Sequence, residues 1–79
     1  MATAFVLIKV VATKQKTVAE EVRKLEGVEK VELIGDDEPR YDMVAKVVAG
    51  SSSELKLMML GRFRKVTHIK ETETLLVID

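Results

Sequence analysis

A repeated tetrapeptide divides this chain into two similar halves. Lys-Val-Val-Ala occurs at residues 9–12 and again at residues 46–49. Each copy ends a run of apolar, largely β-branched residues that is typical of a strand, and each precedes a stretch with the apolar spacing of a helix. Since a further strand-like stretch follows each predicted helix, the sequence indicates two β-α-β units in series.

Local signals predict where these elements begin and end. Thr17 with Glu20, and Ser51 with Glu54, have the spacing of a capping box, in which a hydroxyl and a carboxylate accept hydrogen bonds from amides at a helix start. Gly27 follows the first apolar stripe, at a position where many helices end with a left-handed residue. The second predicted helix carries a broad apolar stripe of Leu55, Leu57, Met58, Met59, Leu60, Phe63 and Val66. The predicted strands cover residues 4–12, 28–34, 41–49 and 69–78.

Two β-α-β units with right-handed crossovers most simply form a four-stranded antiparallel sheet with both helices on one face. The sequence therefore predicts an α+β fold, the ferredoxin-like βαββαβ sandwich. With 79 residues the chain has the length of one small domain, so residues 1–79 are interpreted as a single unit. Such a domain buries only roughly 60% of the surface that its unfolded chain exposes, and its stability is expected to be marginal.

The two faces of the predicted sheet indicate how this stability is supplemented. The chain has no cysteine, which excludes disulfides and thiolate metal sites and fits a reducing compartment. Side chains alternate between the two faces of a strand, and in the first and last strands both sets are mainly apolar. An apolar face without helices is typical of an interface. We therefore expect a homodimer in which two sheets face each other.

Charge and hydropathy argue against several classes of partner. Thirteen Lys and Arg residues balance thirteen Asp and Glu residues, so the chain lacks the strong uniform field that steers proteins to nucleic acids or anionic membranes. The longest apolar run, residues 4–8, is far shorter than the roughly 20 residues of a membrane-spanning helix. We expect a cytoplasmic protein that binds neither DNA directly nor membranes.

The sequence offers few candidates for catalysis or metal binding. His68 is the one histidine, and no Asp, Glu or Cys stands at ligand spacing from it. The serines at residues 51–53 are explained by helix capping, and the acidic residues 36–38 by a solvated turn. The four glycines form no phosphate-binding motif. The sequence therefore indicates no catalytic residue, no metal site and no cofactor.

Two short polar segments remain as candidates for a ligand site. Tyr41 and Asp42 open the third predicted strand, and Thr72 and Thr74 place two hydroxyls on one face of the last strand. In one interpretation the threonines are ordinary strand residues and Asp42 stabilises a turn. In the other, a carboxylate and hydroxyls converge to hold the ammonium and carboxylate groups of a small ligand. These residues alone leave both interpretations open.

The order of several motifs resembles that of a known family. The motifs are FVLIKV at residues 5–10, Leu-Glu-Gly-Val at 25–28, Gly35 followed by Tyr41-Asp42, and TETLLVI at 72–78. Together they resemble the RAM domain, the ligand-sensing domain of Lrp/AsnC transcriptional regulators, in a form without the DNA-binding helix-turn-helix. The resemblance spans nearly the whole chain.

This resemblance implies a regulatory binding module rather than an enzyme. It implies dimers formed through the sheets, rings of eight or ten subunits, and amino acids or similar effectors bound between neighbouring dimers. The ligand-binding residues that it implies are Gly35, Tyr41, Asp42, Thr72 and Thr74, with Asp42 beside an ammonium group and the threonines as polar contacts. Such a module is expected to modulate full-length Lrp/AsnC regulators by mixed assembly.

The sequence also departs from the family pattern. Residues 36–40 intervene between Gly35 and Tyr41, so Gly35 need not occupy the family's glycine position. His68 stands where the family often has a glycine. Gly61 lies within the second predicted helix, where glycine costs roughly 1 kcal/mol relative to alanine, so a close contact or a bend is expected there.

Two other functions stay open at this point. One is a small dimeric ferredoxin-like enzyme, such as a haem-degrading or antibiotic-synthesis monooxygenase, in which His68 would be the catalytic or axial residue. The other is a purely structural oligomer that binds no ligand.

Overall fold

The computed structural model describes residues 1–35 and 40–78. Its elements follow the predicted βαββαβ order, with one short 3₁₀ turn before the last strand. They are β1 (Ala2–Val10), α1 (Gln15–Arg23), β2 (Val28–Leu33), β3 (Met43–Ala49), α2 (Ser52–Gly61), the 3₁₀ turn (Phe63–Lys65) and β4 (Ile69–Leu76). The predicted acidic turn at residues 36–38 lies outside the described residues.

The four strands form one antiparallel sheet in the order β2-β3-β1-β4. The ferredoxin-like prediction is therefore confirmed. Ile8 in the central strand β1 lies opposite Met43 of β3 on one side and Thr72 of β4 on the other. Helix α1 packs mainly on β2 and α2 mainly on β3 and β1, so the helices cover the middle of one face better than its β4 edge.

The core lies between the helices and the central strands. In β1 the buried residues Ala4, Val6, Ile8 and Val10 alternate with residues on the other face. A branched side chain that is fully buried contributes roughly 1.5–3 kcal/mol relative to an exposed one, so this alternation fixes which face of the sheet receives the helices. The remaining buried residues are Val18, Ala19, Val22, Val31, Met43, Ala45, Val47, Leu55, Met58 and Phe63.

The capping box predicted at Thr17 and Glu20 is wrong. The N-cap of helix α1 is Lys14, three residues before Thr17, so the helix begins at Gln15, and no described side chain caps it. The cause lies in Thr13, whose φ of 71° turns the chain so that the Lys14 amide donates to the Val11 carbonyl at 3.1 Å. The Lys14 carbonyl then accepts the first helical hydrogen bond, from the Val18 amide at 2.9 Å.

The capping box predicted for α2 is confirmed. The Ser51 Oγ accepts a hydrogen bond from the Glu54 amide at 3.2 Å, and the Glu54 carboxylate accepts one from the Gly50 amide at 3.0 Å. The helix is shorter than its apolar stripe, because it ends at Gly61 and Phe63 lies in the 3₁₀ turn. The space around Gly61 is open within the described chain, so the close contact expected there is not found.

Gly27 has the left-handed conformation that its position predicts, with a φ of 94°. Its carbonyl accepts a hydrogen bond from the Val48 amide at 2.8 Å, which brings the turn after α1 against β3. A Cβ atom on Gly27 would lie 2.8 Å from Met58 Cε and 2.9 Å from the Val48 carbonyl oxygen. Glycine is therefore required here both by backbone conformation and by close packing.

Candidate ligand-binding site

Asp42 lies beside the end of β1, where the strand changes register. Its Oδ2 accepts a hydrogen bond from the Val10 amide at 2.8 Å, and its own amide donates to the Ile8 carbonyl at 2.8 Å. The β1–β3 ladder has its last pair at Ile8 and Met43, so the Val10 amide has no regular ladder partner on the β3 side and the carboxylate takes that place. The third strand begins at Met43, so Asp42 lies just before the strand and not within it as predicted.

The hydrogen bond to Val10 uses only part of the acceptor capacity of the Asp42 carboxylate. An ionised carboxylate can accept about four hydrogen bonds, and the described residues supply one to its side chain. Asp42 is half-buried. It can therefore hold the backbone of β1 and still face a cation with its other oxygen, so the turn-stabilising interpretation and the ligand interpretation are compatible.

Tyr41 reaches over the face of the sheet that has no helices. Its hydroxyl donates to Glu73 Oε2 at 3.2 Å, across the intervening strand β1. Partial burial and the hydrogen bond to the Glu73 carboxylate raise the pKa of Tyr41 above its ordinary value, because both disfavour the phenolate. In this conformation Tyr41 connects the β2–β3 loop with β4.

Gly35 lies next to this region. The amide of the preceding residue, Ile34, donates to the Asp42 carbonyl at 3.0 Å, which ties the two ends of the β2–β3 loop together. Gly35 is exposed and a Cβ atom on it would meet no neighbour within 4 Å of the described chain. Its position fits the predicted site, but this structure shows no steric need for glycine.

Thr72 and Thr74 lie on the opposite face of the sheet. They pair with Ile8 and Val6, whose side chains are buried under the helices, and directly opposed residues share a face. Both threonines line an open groove of about 360 Å³ between β4 and the end of α2, which we call the threonine groove. Its other lining residues are Met59, Leu60, Phe63, Arg64, Val66 and Ile69.

One chain therefore does not bring the five predicted residues together. Gly35, Tyr41 and Asp42 cluster at the β2–β3 loop, whereas Thr72 and Thr74 line the threonine groove. Asp42 and Thr72 flank the same end of β1 from opposite sides, so two strand spacings, about 10 Å, separate their backbones. Within one chain, the two clusters therefore do not form a single site.

His68, the candidate catalytic residue of the enzyme hypothesis, has a backbone role in this structure. Its φ is 72° and its carbonyl accepts a hydrogen bond from the Val11 amide at 2.9 Å. Its side chain is exposed. This left-handed conformation is easiest for glycine, which explains the glycine expected at the position from the family pattern. Within residues 1–35 and 40–78, no three His, Cys, Asp or Glu residues are grouped to hold a metal ion.

The face of the sheet without helices carries an apolar centre with a charged border. Phe5 and Leu75 are opposite each other and are 40% and 49% exposed, and Leu7 and Val44 form the next cross-strand pair. The border includes Glu71 and Glu73 and the ion pairs Lys46–Glu29, at 3.5 Å, and Lys30–Glu32, at 3.2 Å. The predicted apolar face is present at the centre of the sheet, and Leu76, which pairs with the buried Ala4, lies on the helix side.

Sequence reasoning missed several residues of this region. The bond between Asp42 and Val10 joins residues 32 positions apart, so no local pattern predicts it. The groove-lining role of Met59 and Leu60 had a signal in the broad apolar stripe of α2, but that of Arg64 had none. No helix within the described residues is long and apolar enough to span a membrane.

Comparisons with known proteins agree with this geometry. Residues 3–79 match the family model described as the Lrp/AsnC ligand binding domain. An uncharacterized HTH-type transcriptional regulator of Pyrococcus abyssi is 29% identical over 80 residues; the match covers 98% of this chain and 51% of the regulator. The chain thus spans about half the length of this curated relative.

Solved structures show the same fold. TTHA0845 from Thermus thermophilus is 29% identical, with a TM-score of 0.88 and coverage of 100% of this chain and 95% of that one. The transcriptional regulator NMB0573 of Neisseria meningitidis, solved in complex with L-Met, matches with a TM-score of 0.81 at 14% identity. The match covers 99% of this chain and 50% of the regulator. At that identity the likeness concerns the fold alone. The matched family comprises ligand-binding domains of transcription regulators and is not a class of enzymes. Because its model matches residues 3–79, this chain belongs to the Lrp/AsnC ligand-binding domain family.

Proposed function

We propose that this domain is a self-assembling regulatory module of the cytoplasm that binds an amino acid or a similar small effector between its subunits. The observation that carries the proposal is the division of the candidate polar residues between two surfaces of one chain. A carboxylate at Asp42 and hydroxyls at Thr72 and Thr74 suit the two ends of an amino acid. Because about 10 Å separates the backbones of Asp42 and Thr72 within one chain, we expect one amino acid to be held by groups from two chains.

The chemistry of each half-site matches one group of such an effector. The free oxygen of Asp42 would accept a charge-assisted hydrogen bond from the ammonium group, which is about twice as strong as a neutral one. The threonine hydroxyls would donate to the carboxylate. Gly35 and Tyr41 would contact the ligand from the β2–β3 loop. The L-Met complex of the Neisseria regulator, a protein of the same fold, supports an amino acid as the effector.

Assembly would begin with a homodimer through the helix-free face of the sheet. Phe5, Leu7, Val44 and Leu75 would be covered, and each 100 Å² of apolar surface buried contributes roughly 2.5 kcal/mol before the entropy of association is deducted. The charged border would then fix the register of the two sheets. Following the family resemblance, we propose that such dimers form rings of eight or ten subunits, with effectors between neighbouring dimers.

The domain would act on transcription through other proteins. The chain belongs to the Lrp/AsnC ligand-binding domain family and matches about half the length of a helix-turn-helix regulator. We propose that it assembles with full-length Lrp/AsnC regulators and that the effector shifts the balance between mixed and separate assemblies. An effector shifts such an equilibrium only by its differential affinity for the two assemblies.

A thermal-shift screen of the twenty amino acids tests the binding proposal, because a ligand that prefers the folded oligomer raises its melting temperature by mass action. The matched variant is Asp42→Asn, which keeps a carbonyl oxygen for the Val10 amide and loses the charge. Glu20→Gln, which removes a charge from an exposed position on α1, is the control. We expect a shift with at least one amino acid that Asp42→Asn reduces and Glu20→Gln preserves. No shift with any amino acid at millimolar concentration would contradict the proposal and favour a structural oligomer.

A further inference from the structure

The threonine groove continues along α2 into a second apolar depression. This depression of about 410 Å³ shares Met59, Leu60 and Thr74 with the groove. Its other lining residues are Ser52, Leu55, Lys56 and Leu76. The hydroxyls of Thr72 and Thr74 therefore stand beside a continuous apolar surface. The volumes lie at the lower end of the roughly 300–1,000 Å³ typical of small-molecule sites.

The charges along this surface have one sign. Arg64 and Lys56 are the only charged residues among the described residues that line the groove and its continuation, and no carboxylate lines either. Arg64 has no ion pair or side-chain hydrogen bond with any described residue, in contrast to Arg62, which binds the Glu26 carbonyl at 2.9 Å. A cationic side chain of a ligand would therefore be repelled by Arg64 and Lys56 and would meet no acidic partner among the described lining residues. The carboxylate of a ligand would instead meet the Arg64 guanidinium and the hydroxyls of Thr72 and Thr74.

From this arrangement we infer that the threonine groove selects amino acids with an unbranched or branched aliphatic side chain. The apolar wall of Met59, Leu60 and Val66 takes the side chain, and Arg64 with the threonines takes the carboxylate. The inference rests on the proposed function, because the ammonium group is left for Asp42 of a neighbouring subunit. It adds to that function the class of effector and two specificity-determining residues, Leu60 and Arg64.

A homologous series of ligands measures the apolar part of this inference. Alanine, 2-aminobutyrate, norvaline and norleucine differ by one methylene each, and each methylene buried strengthens binding about fourfold. Calorimetric titration of the full chain should give that increment until the groove is filled, with lysine binding at least tenfold more weakly than norleucine. Equal affinities along the series would overturn the inference while leaving the proposed function in place.

Two variants with matched controls locate the site. Leu60→Glu should weaken norleucine binding at least tenfold. The control Leu57→Glu should leave binding unchanged, because Leu57 lies on α2 outside the groove. The two side chains are similarly exposed, Leu57 at 67% and Leu60 at 59%. If Leu60→Glu changes the oligomeric mass and leaves norleucine binding unchanged, the groove is a subunit interface and the inference is wrong.

Norleucinamide isolates the role of Arg64 because it lacks the ligand carboxylate. Arg64→Gln should weaken norleucine about tenfold and norleucinamide hardly at all, and Lys65→Gln should affect neither. Equal losses for both ligands would show that Arg64 acts through structure, which overturns its assignment as the carboxylate partner. If the wild-type protein binds none of these ligands or any other amino acid, the proposed function fails together with the inference.

Discussion

Replacing Asp42 by alanine removes the acceptor of the Val10 amide, which lies 2.8 Å from Oδ2 in a partly buried position. A buried donor left without a partner costs about 1–3 kcal/mol, and partial access of water places this amide in the lower half of that range. For a domain of this size, 1 kcal/mol lowers the melting temperature by roughly 4–8 °C. We therefore expect Asp42→Ala to melt about 5–15 °C below the wild type.

The comparison with Asp42→Asn separates the hydrogen bond from the charge. The asparagine side chain offers a carbonyl oxygen to the same amide, so we expect it to recover most of the lost stability. Circular dichroism melts at one fixed protein concentration measure both variants, because assembly also shifts the melting temperature. If Asp42→Ala melts with the wild type, or if both variants lose the same stability, the proposed role of Asp42 in closing the end of β1 is wrong.

Three further predictions follow from other contacts. The pKa of Tyr41 is raised in the folded state, so its contribution to stability is present below about pH 10 and lost as the pH rises through the folded pKa. Above pH 10, the urea midpoint of unfolding should therefore fall more steeply for the wild type than for Tyr41→Phe. Parallel curves for the two proteins would contradict this. Phe5→Glu places a carboxylate opposite Lys46 on the face of the sheet without helices, so the subunit should stay folded. The mass of the assembly measured by light scattering should fall, because the apolar centre of this face carries a charge. An unchanged mass would exclude this face as the dimer interface. His68→Gly removes the strain of a left-handed residue, so it should raise the free energy of unfolding by about 0.5–1 kcal/mol. Chemical denaturation measures this change. A loss of stability would mean that the imidazole makes stabilising contacts.

The fold could be predicted because its signals are periodic and local. Alternation in β1 separates Val6 and Ile8 from Phe5 and Leu7, but both sets are apolar, so only burial in the folded chain shows that Val6 and Ile8 face the helices. The capping box at Ser51 and Glu54 lies within four residues, and its geometry needs no partner from elsewhere. The glycine at residue 27 has a conformational signal of its own, because few other residues adopt its φ.

The start of α1 could not be predicted in the same way. Threonine rarely adopts a positive φ, so nothing in the sequence indicates that Thr13 would turn the chain four residues before the expected cap. The chain is held by a tertiary contact just before the turn, since the Val11 amide donates to the carbonyl of His68, far along the chain. A plausible local signal at Thr17 and Glu20 was therefore overridden by contacts that only the folded chain provides.

The candidate site shows a similar limit. The residues Tyr41, Asp42, Thr72 and Thr74 could be selected by their order and chemistry, but which face each would occupy depends on register. Pairing with Ile8 and Val6 places the threonines on the helix side, and a shift of one residue would have placed them on the other. The separation of the two clusters, on which the proposal of a shared site rests, follows only from the sheet.

Mixing two inactive variants tests that shared site most directly. Asp42→Asn would lack the ammonium partner, and a double variant with Thr72→Val and Thr74→Val would lack the hydroxyls. Each variant alone should fail to bind the amino acid found in the thermal-shift screen. After co-refolding, mixed oligomers should regain a fraction of the binding sites in calorimetric titration, because an intact Asp42 from one chain meets intact threonines from another. If co-refolded oligomers contain both variants and still bind nothing, the site is not shared between subunits and the central proposal is contradicted.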